Sequence, residues 1–214
     1  MLPEFLTVFN FPVIIELTVF LIMVEPDFQN DLKKCIETLH NGGLILYPTD
    51  TVWGIGCDAT DSTAVKKIFD LKKRADSKSL IVLVAEDRDI LKCVTQLNLN
   101  VFDYLKTVQK PTTVIYEGAI GLADNLIDAK RTVAIRVVKE IFCKQLIKQF
   151  RRPIVSTSAN ISNEVTPQNF DEISGQIKQG VDYIVKYRQE DKTKHQPSSV
   201  VKFNKDGTVN ILRN

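Results

Sequence analysis

Three short stretches of the chain carry side chains whose types and spacing suit chemistry on anions. The first, Pro48-Thr49-Asp50-Thr51, sets two hydroxyls and a carboxylate between apolar runs, the usual place for a binding loop. It reads equally well as a turn in which Asp50 bonds its own backbone, and the residues alone do not separate the two. The second, Lys72-Lys73-Arg74 with Lys78 just beyond, follows a helical pattern. Cations there offset the helix dipole. They would equally make a clamp for triphosphate or carboxylate, Arg supplying a planar fork and Lys a point charge. Arg136, near the end of an alternating run, would add a guanidinium if it faces the same cleft. The third stretch, Ser156-Thr157-Ser158-Ala159-Asn160, gathers hydrogen-bonding side chains after a strand, where open α/β sheets bind ligands.

Other chemistries lack their residues. The chain has no GxxxxGK[ST] loop and no strand-linked GxGxxG. His40 and His195 stand apart, and no G-x-S-x-G elbow appears, which argues against triad hydrolysis. Cys35, Cys57, Cys93 and Cys143 form neither a CxxC pair nor a His-assisted metal pattern, so no metal site is expected from protein side chains. They read as reduced, mostly buried thiols of a cytoplasmic protein. Mechanism is expected to rest on positioning charged substrates and stabilising phosphoryl charge, without a protein nucleophile.

The elements that must position these stretches follow from hydrophobic periodicity. Phe28, Leu32, Ile36 and Leu39 recur at helix spacing after the cap Asp27, and Gly42-Gly43 stop the helix. Strands are predicted over 44–47 and 52–57 on either side of the first loop, then a helix over 62–71. The apolar run 80–85 fits a strand buried on both faces. Asp87 caps a short helix to 94, and a second helix runs over 98–108. Strands at 112–116 and 132–138, a helix through Ile141 and Phe150 and a strand at 153–155 lead into the Ser/Thr-rich loop. Beyond it come a helix over 169–179, a strand at 182–185 and a hairpin, 200–203 with 209–212, turning on Asp206-Gly207. Strands that alternate with helices but end in a hairpin predict an α/β fold with a mixed sheet.

With 214 residues, 44% of them hydrophobic, the chain has material for one core without disulfide staples. Its 28 basic and 26 acidic residues leave a net charge of +2, which argues against a surface built wholly for polyanions. Residues 1–24 form an apolar extension, read as an added strand, an interface segment or a stretch upstream of a native initiator at Met23. The carboxylate Glu16 within it and the lack of a preceding cation argue against membrane insertion. Residues 25–214 make the single domain, with the polar stretch 187–196 as a mobile linker.

The run from Gly43 to Cys57, Lys72-Lys73-Arg74 and Ser158-Ala159-Asn160-Ile161-Ser162 stand in an informative order, with Arg136 and Ser198-Ser199-Val200-Val201 between and after them. Together they resemble the YrdC/Sua5 family, and its short YrdC-like branch in particular. That resemblance implies a YrdC-like fold, a twisted mixed sheet with flanking helices and a concave basic cavity. It also implies L-threonylcarbamoyladenylate synthase activity. L-threonine, bicarbonate and ATP would give threonylcarbamoyl-AMP and pyrophosphate, for N6-threonylcarbamoyladenosine (t6A37) modification of tRNA. By the same resemblance Lys72 and Arg74 act catalytically through positioning and charge, and with Thr51 face the threonine carboxylate and phosphates. Thr113, Arg136, Ser156, Ser158, Asn160 and Ser199 line the threonylcarbamoyl and nucleotide parts. ATP is then a substrate accompanied by Mg2+, and the partners are a downstream tRNA-modifying transferase complex and weakly bound RNA. The rival is a non-synthetase paralogue that binds nucleotide or RNA. Trp53 in place of Tyr, and Lys110 and Asn163 in place of Gly, depart from the family pattern.

Overall fold

Apolar residues at helix spacing make helix α1 (Gln29–His40) in the computed structural model of the chain, which describes residues 28–73, 80–204 and 207–214. The expectations for the extension 1–24, Met23, Asp27, Arg74, Lys78 and Asp206 lie outside the described residues. After α1 come β1 (Ile45–Tyr47), β2 (Gly54–Gly56), α2 (Ser62–Lys72), β3 (Ile81–Val84), a 3-10 turn (Asp87–Lys92), α3 (Asn100–Thr107) and β4 (Thr112–Glu117). A short 3-10 turn (Asp124–Leu126) leads to β5 (Thr132–Val137), α4 (Ile141–Phe150) and β6 (Ile154–Ser158). The chain then makes α5 (Gly175–Gln179), β7 (Tyr183–Ile184) and the hairpin of β8 (Ser199–Phe203) and β9 (Val209–Arg213).

The described strands form one mixed sheet in the order β7-β1-β2-β6-β3-β5-β4-β8-β9. The pairs β1–β7, β3–β5 and β4–β8 are parallel and the others antiparallel. This is the α/β fold with a mixed sheet and flanking helices that the sequence predicts. Strand β1 is buried along its whole length, and Val82 and Leu83 of β3 are fully buried, in keeping with uninterrupted apolar runs in the middle of a sheet. Helices α1 and α4 pack side by side. Phe28 meets Phe142 at one end and His40 meets Phe150 at the other, so the two helices run in the same direction. All four cysteines are buried and unbridged, as expected. Among the described residues no helix is long and apolar enough to cross a membrane.

Local hydrogen bonding decides where elements end. Asp61 caps α2 by accepting from Thr63 N and Ala64 N, and Lys73 closes the helix in the left-handed region at φ 49°. The helix expected over 169–179 is reduced to α5. Asn169 Oδ1 accepts from the backbone N–H groups of Asp171 and Glu172, and Glu172 Oε2 accepts from Gln168 N. These side chains satisfy the backbone in a non-helical way, so the helix starts only after the cap Ser174. The short helix expected from Asp87 is a 3-10 turn, and its cap is Glu86, paired with Asp89 in a capping box. Strand β6 runs on through Ser158, so the expected Ser/Thr loop is in its first part a strand.

The polar stretch 187–196 folds back against the domain. Asp31 on α1 is buried and accepts from Tyr183 Oη at 2.6 Å, Lys186 N at 3.0 Å and Tyr187 N at 2.9 Å. The Tyr187 ring lies against Phe28 and Phe142, and Arg188 donates to Thr49 O at 3.2 Å.

Candidate functional site

One face of the sheet carries a cavity of about 280 Å³, and strand periodicity explains its lining. Alternate residues point to the same face. Thr113 and Ile115 of β4, Ala134 and Arg136 of β5, and Ser156 and Ser158 of β6 all reach it. The loop between β1 and β2 closes one side with Thr51, Val52 and Trp53, and the approach to β8 closes another with Ser198. Gly54 keeps the floor open, because a Cβ there would sit 2.8 Å from Ser156 Oγ.

The hydroxyls have assigned directions. Thr49 Oγ1 has one hydrogen, and it goes to Val52 O at 2.8 Å. The 2.9 Å contact between Thr49 Oγ1 and Thr51 Oγ1 must then be a donation by Thr51, alongside the donation from Thr51 N at 3.0 Å. Thr51 therefore keeps lone pairs, and no proton, for a molecule in the cavity. Thr113 Oγ1 shares a 2.8 Å hydrogen bond with Ser198 Oγ, and Arg213 donates to Ser198 O at 3.1 Å.

Two guanidinium groups and no carboxylate line the described wall. Arg136 is 3% exposed. Its Nη2 lies 3.0 Å from Asp50 Oδ1, close enough for an ion pair but not aligned as a hydrogen bond, and its buried Nε has no hydrogen-bond partner among the described residues. Asp50 Oδ2 accepts from Lys139 N at 3.3 Å. Asp50 thus orients the guanidinium and leaves part of its donor capacity unused. Burial first, and then the charge of Arg136, lowers the pKa of Arg213. Two cations that raise each other's electrostatic cost gain from an anion between them.

The residues singled out from sequence divide into three groups. Thr51, Thr113, Arg136, Ser156 and Ser158 converge on the cavity. Lys72 and Asn160 are not among the described residues of its wall. Lys72 is 1% exposed, and its Nζ donates to Ser158 O at 2.5 Å and also to Asn160 O. Asn160 Nδ2 donates to Ile161 O and Glu164 O, and Ser162 N donates to Lys72 O. This network fixes the turn after β6. Asn163 stands in that turn at φ 72°, a conformation Asn tolerates better than most residues. Ser199 is off the wall, because its neighbours Ser198 and Val200 take the cavity face of β8. Arg74 lies outside the described residues. Sequence reasoning did not name Ser198 or Arg213 as site residues. The signal for Arg213 was the hairpin itself, whose register puts Arg213 opposite the cavity-lining Val200.

Comparison with known proteins follows this geometry. A family model covering Sua5, YciO and YrdC proteins, described as "Telomere recombination", matches residues 37–214. The threonylcarbamoyl-AMP synthase of Pseudoalteromonas translucida is 30% identical over 160 residues, 73% of this chain and 86% of that protein. The protein of the same name from Saccharophagus degradans is 37% identical over 137 residues, 60% of this chain and 68% of its own. Among solved structures, Escherichia coli YciO superposes with a TM-score of 0.76 at 21% identity, covering 89% of this chain and 91% of its own. P. abyssi Sua5 complexed with L-threonine superposes with a TM-score of 0.75 at 23% identity. The match takes in 85% of this chain and 53% of the Sua5 chain, so this chain spans about half of that protein.

Proposed function

The chain belongs to the Sua5/YciO/YrdC family, and on that premise we propose that it is a threonylcarbamoyl-AMP synthase acting on L-threonine, bicarbonate and ATP. The observation that carries this reading is the cavity itself, where two guanidinium groups and seven hydroxyl-bearing residues converge with no carboxylate among the described residues of the wall.

In this reading the threonine amine takes up bicarbonate with loss of water, giving a carbamate. A carbamate oxygen attacks the α-phosphorus of ATP, the bond to the β,γ-diphosphate breaks, and pyrophosphate leaves with the electron pair. The acyl-adenylate then serves a transferase that modifies tRNA. Arg136 and Arg213 supply positive charge for the carboxylate and phosphate oxygens. Thr51, with lone pairs outward, suits the amine or hydroxyl of threonine and not its carboxylate. Ser156, Ser158 and Ser198 supply hydroxyls to the remaining polar atoms. Lys72 supports the site by holding the Ser158–Asn160 turn, and Ser199 contributes through β8.

The buried cysteines are unsuited to act as nucleophiles. Burial raises the pKa of Cys35, Cys57 and Cys143, and that of Cys93 to about 11. No group of three or more His, Cys, Asp or Glu side chains among the described residues could hold a metal ion. Mg2+ would enter on the triphosphate. Calorimetric titration tests the reading. L-threonine should bind, and bind more tightly with a non-hydrolysable ATP analogue present; a protein that takes nucleotide but never threonine would be the non-synthetase paralogue.

A further inference from the structure

A second cleft, of about 330 Å³, shares no residue with the candidate site. It lies past the carboxyl end of β3 at Val84 and Ala85, between the 3-10 turn (Asp87–Lys92) and the last turn of α4. The end of β3 lies there beside the start of its antiparallel neighbour β6, where Leu83 pairs with Ile154 and Pro153 joins the lining.

The walls carry a charge excess. Arg88, Lys92, Lys148, Arg151 and Arg152 stand against Glu86 and Asp89, an excess of three cations in a chain whose net charge is +2. Internal pairing does not use it up. Glu86 is shared by Arg88 at 2.8 Å and Lys148 at 2.5 Å, Asp89 takes Lys92 at 2.8 Å, and Arg152 is held by the buried Asp58 at 2.8 Å. Arg151 has no ion-pair partner among the described residues. The base of the cleft is apolar, formed by Val84, Ile147 and Pro153.

We infer that this cleft binds a phosphorylated small molecule, with its phosphate between Arg151, Arg88 and Lys148 and its less polar body on Val84, Ile147 and Pro153. The volume falls in the range of small-molecule sites, and the mix of an apolar base with a few convergent charges is their usual lining. The inference does not rest on the reaction assigned to the first cavity.

Amide chemical-shift mapping of the full chain, titrated separately with ADP and with inorganic phosphate, tests it. ADP should shift resonances of residues 85–93 and 147–152 saturably, and phosphate should shift the same set about tenfold more weakly because it leaves the apolar base untouched. The double variant Arg88→Ala, Arg151→Gly should weaken ADP at these amides at least about tenfold. Arg151 sits at φ 62°, which glycine adopts without strain, so this variant keeps the helix end. Amides near Thr51 and Ser156 report the first cavity in the same spectra, so failure at one site is distinguishable from failure at the other. ADP shifts confined to the first cavity, or cleft shifts unchanged in the double variant, would overturn the inference. Phosphate binding as tightly as ADP would overturn the assignment of an organic ligand.

Discussion

Thr51 is the residue whose chemistry the hydrogen-bond pattern specifies most sharply. Its proton is committed to Thr49, so its oxygen can only accept from a bound molecule. Thr51→Val should weaken threonine binding about tenfold, the value of one hydrogen bond lost at a buried site, and Thr51→Ser should retain it. A titration in which valine and serine behave alike would remove the proposed contact. Lys72 makes a contrasting case. Its pattern in the sequence suggests a clamp on substrate, and in the structure its ammonium donates to the carbonyls of Ser158 and Asn160. Lys72→Met should cost about 3 kcal/mol of stability by leaving buried carbonyls without their donor, and should lower turnover through the displaced turn. Denaturant unfolding read beside activity separates the cases: full stability with lost turnover would restore a direct substrate role. Hydroxyl and guanidinium groups at strand ends and in the first loop make Thr51, Arg136, Ser156 and Ser158 visible in one dimension, whereas Thr113 is implied only by the family resemblance. Sequence could not tell Ser198 from Ser199, since which of two adjacent serines faces the cavity depends on the pleat of a strand whose register is set by β4.

Among the elements, long and strongly periodic segments were legible and short polar ones were not. Helix α1 and strand β3 fall where apolar spacing places them. The segment 169–174 carries a helical pattern that Asn169 and Glu172 override by bonding nearby backbone groups. The stretch 187–196 has little apolar material, and its attachment comes from residues distant in sequence, such as Asp31 and Thr49. Within it, hydrogen bonds from the Thr193 side chain and backbone and from Arg188 hold the Asp191 carboxyl well below its ordinary value of 3.8. A folded-state pKa below the unfolded one means stabilisation that is complete above that ordinary value and lost as pH falls beneath it. Asp191→Asn should therefore be less stable than the parent at neutral pH, with the difference shrinking steadily as pH falls below 3.8. Thermal unfolding from neutral pH into acid checks this, and a difference that stays constant below pH 3.8 would show that Asp191 acts by packing and not by charge.

At the scale of the whole molecule, one sheet brings residues from the loop after β1, the middle strands and the final hairpin around a single cavity, across more than 160 positions of sequence from Thr51 to Arg213. The fold class was legible because strands alternate with helices and finish in a hairpin. The strand order was not, because β6 inserts between β2 and β3 and no local pattern records that choice. It is this insertion that sets Ser156 and Ser158 beside Gly54 and opposite Arg136. The central claim is that the assembled cavity joins three substrates. Pyrophosphate release by the purified chain, with Mg2+ present, measures this directly. Release that requires ATP, bicarbonate and L-threonine together, with threonylcarbamoyl-AMP formed in equal amount, is the result the account predicts. Folded protein that releases no pyrophosphate, or releases it equally well without threonine, would contradict it.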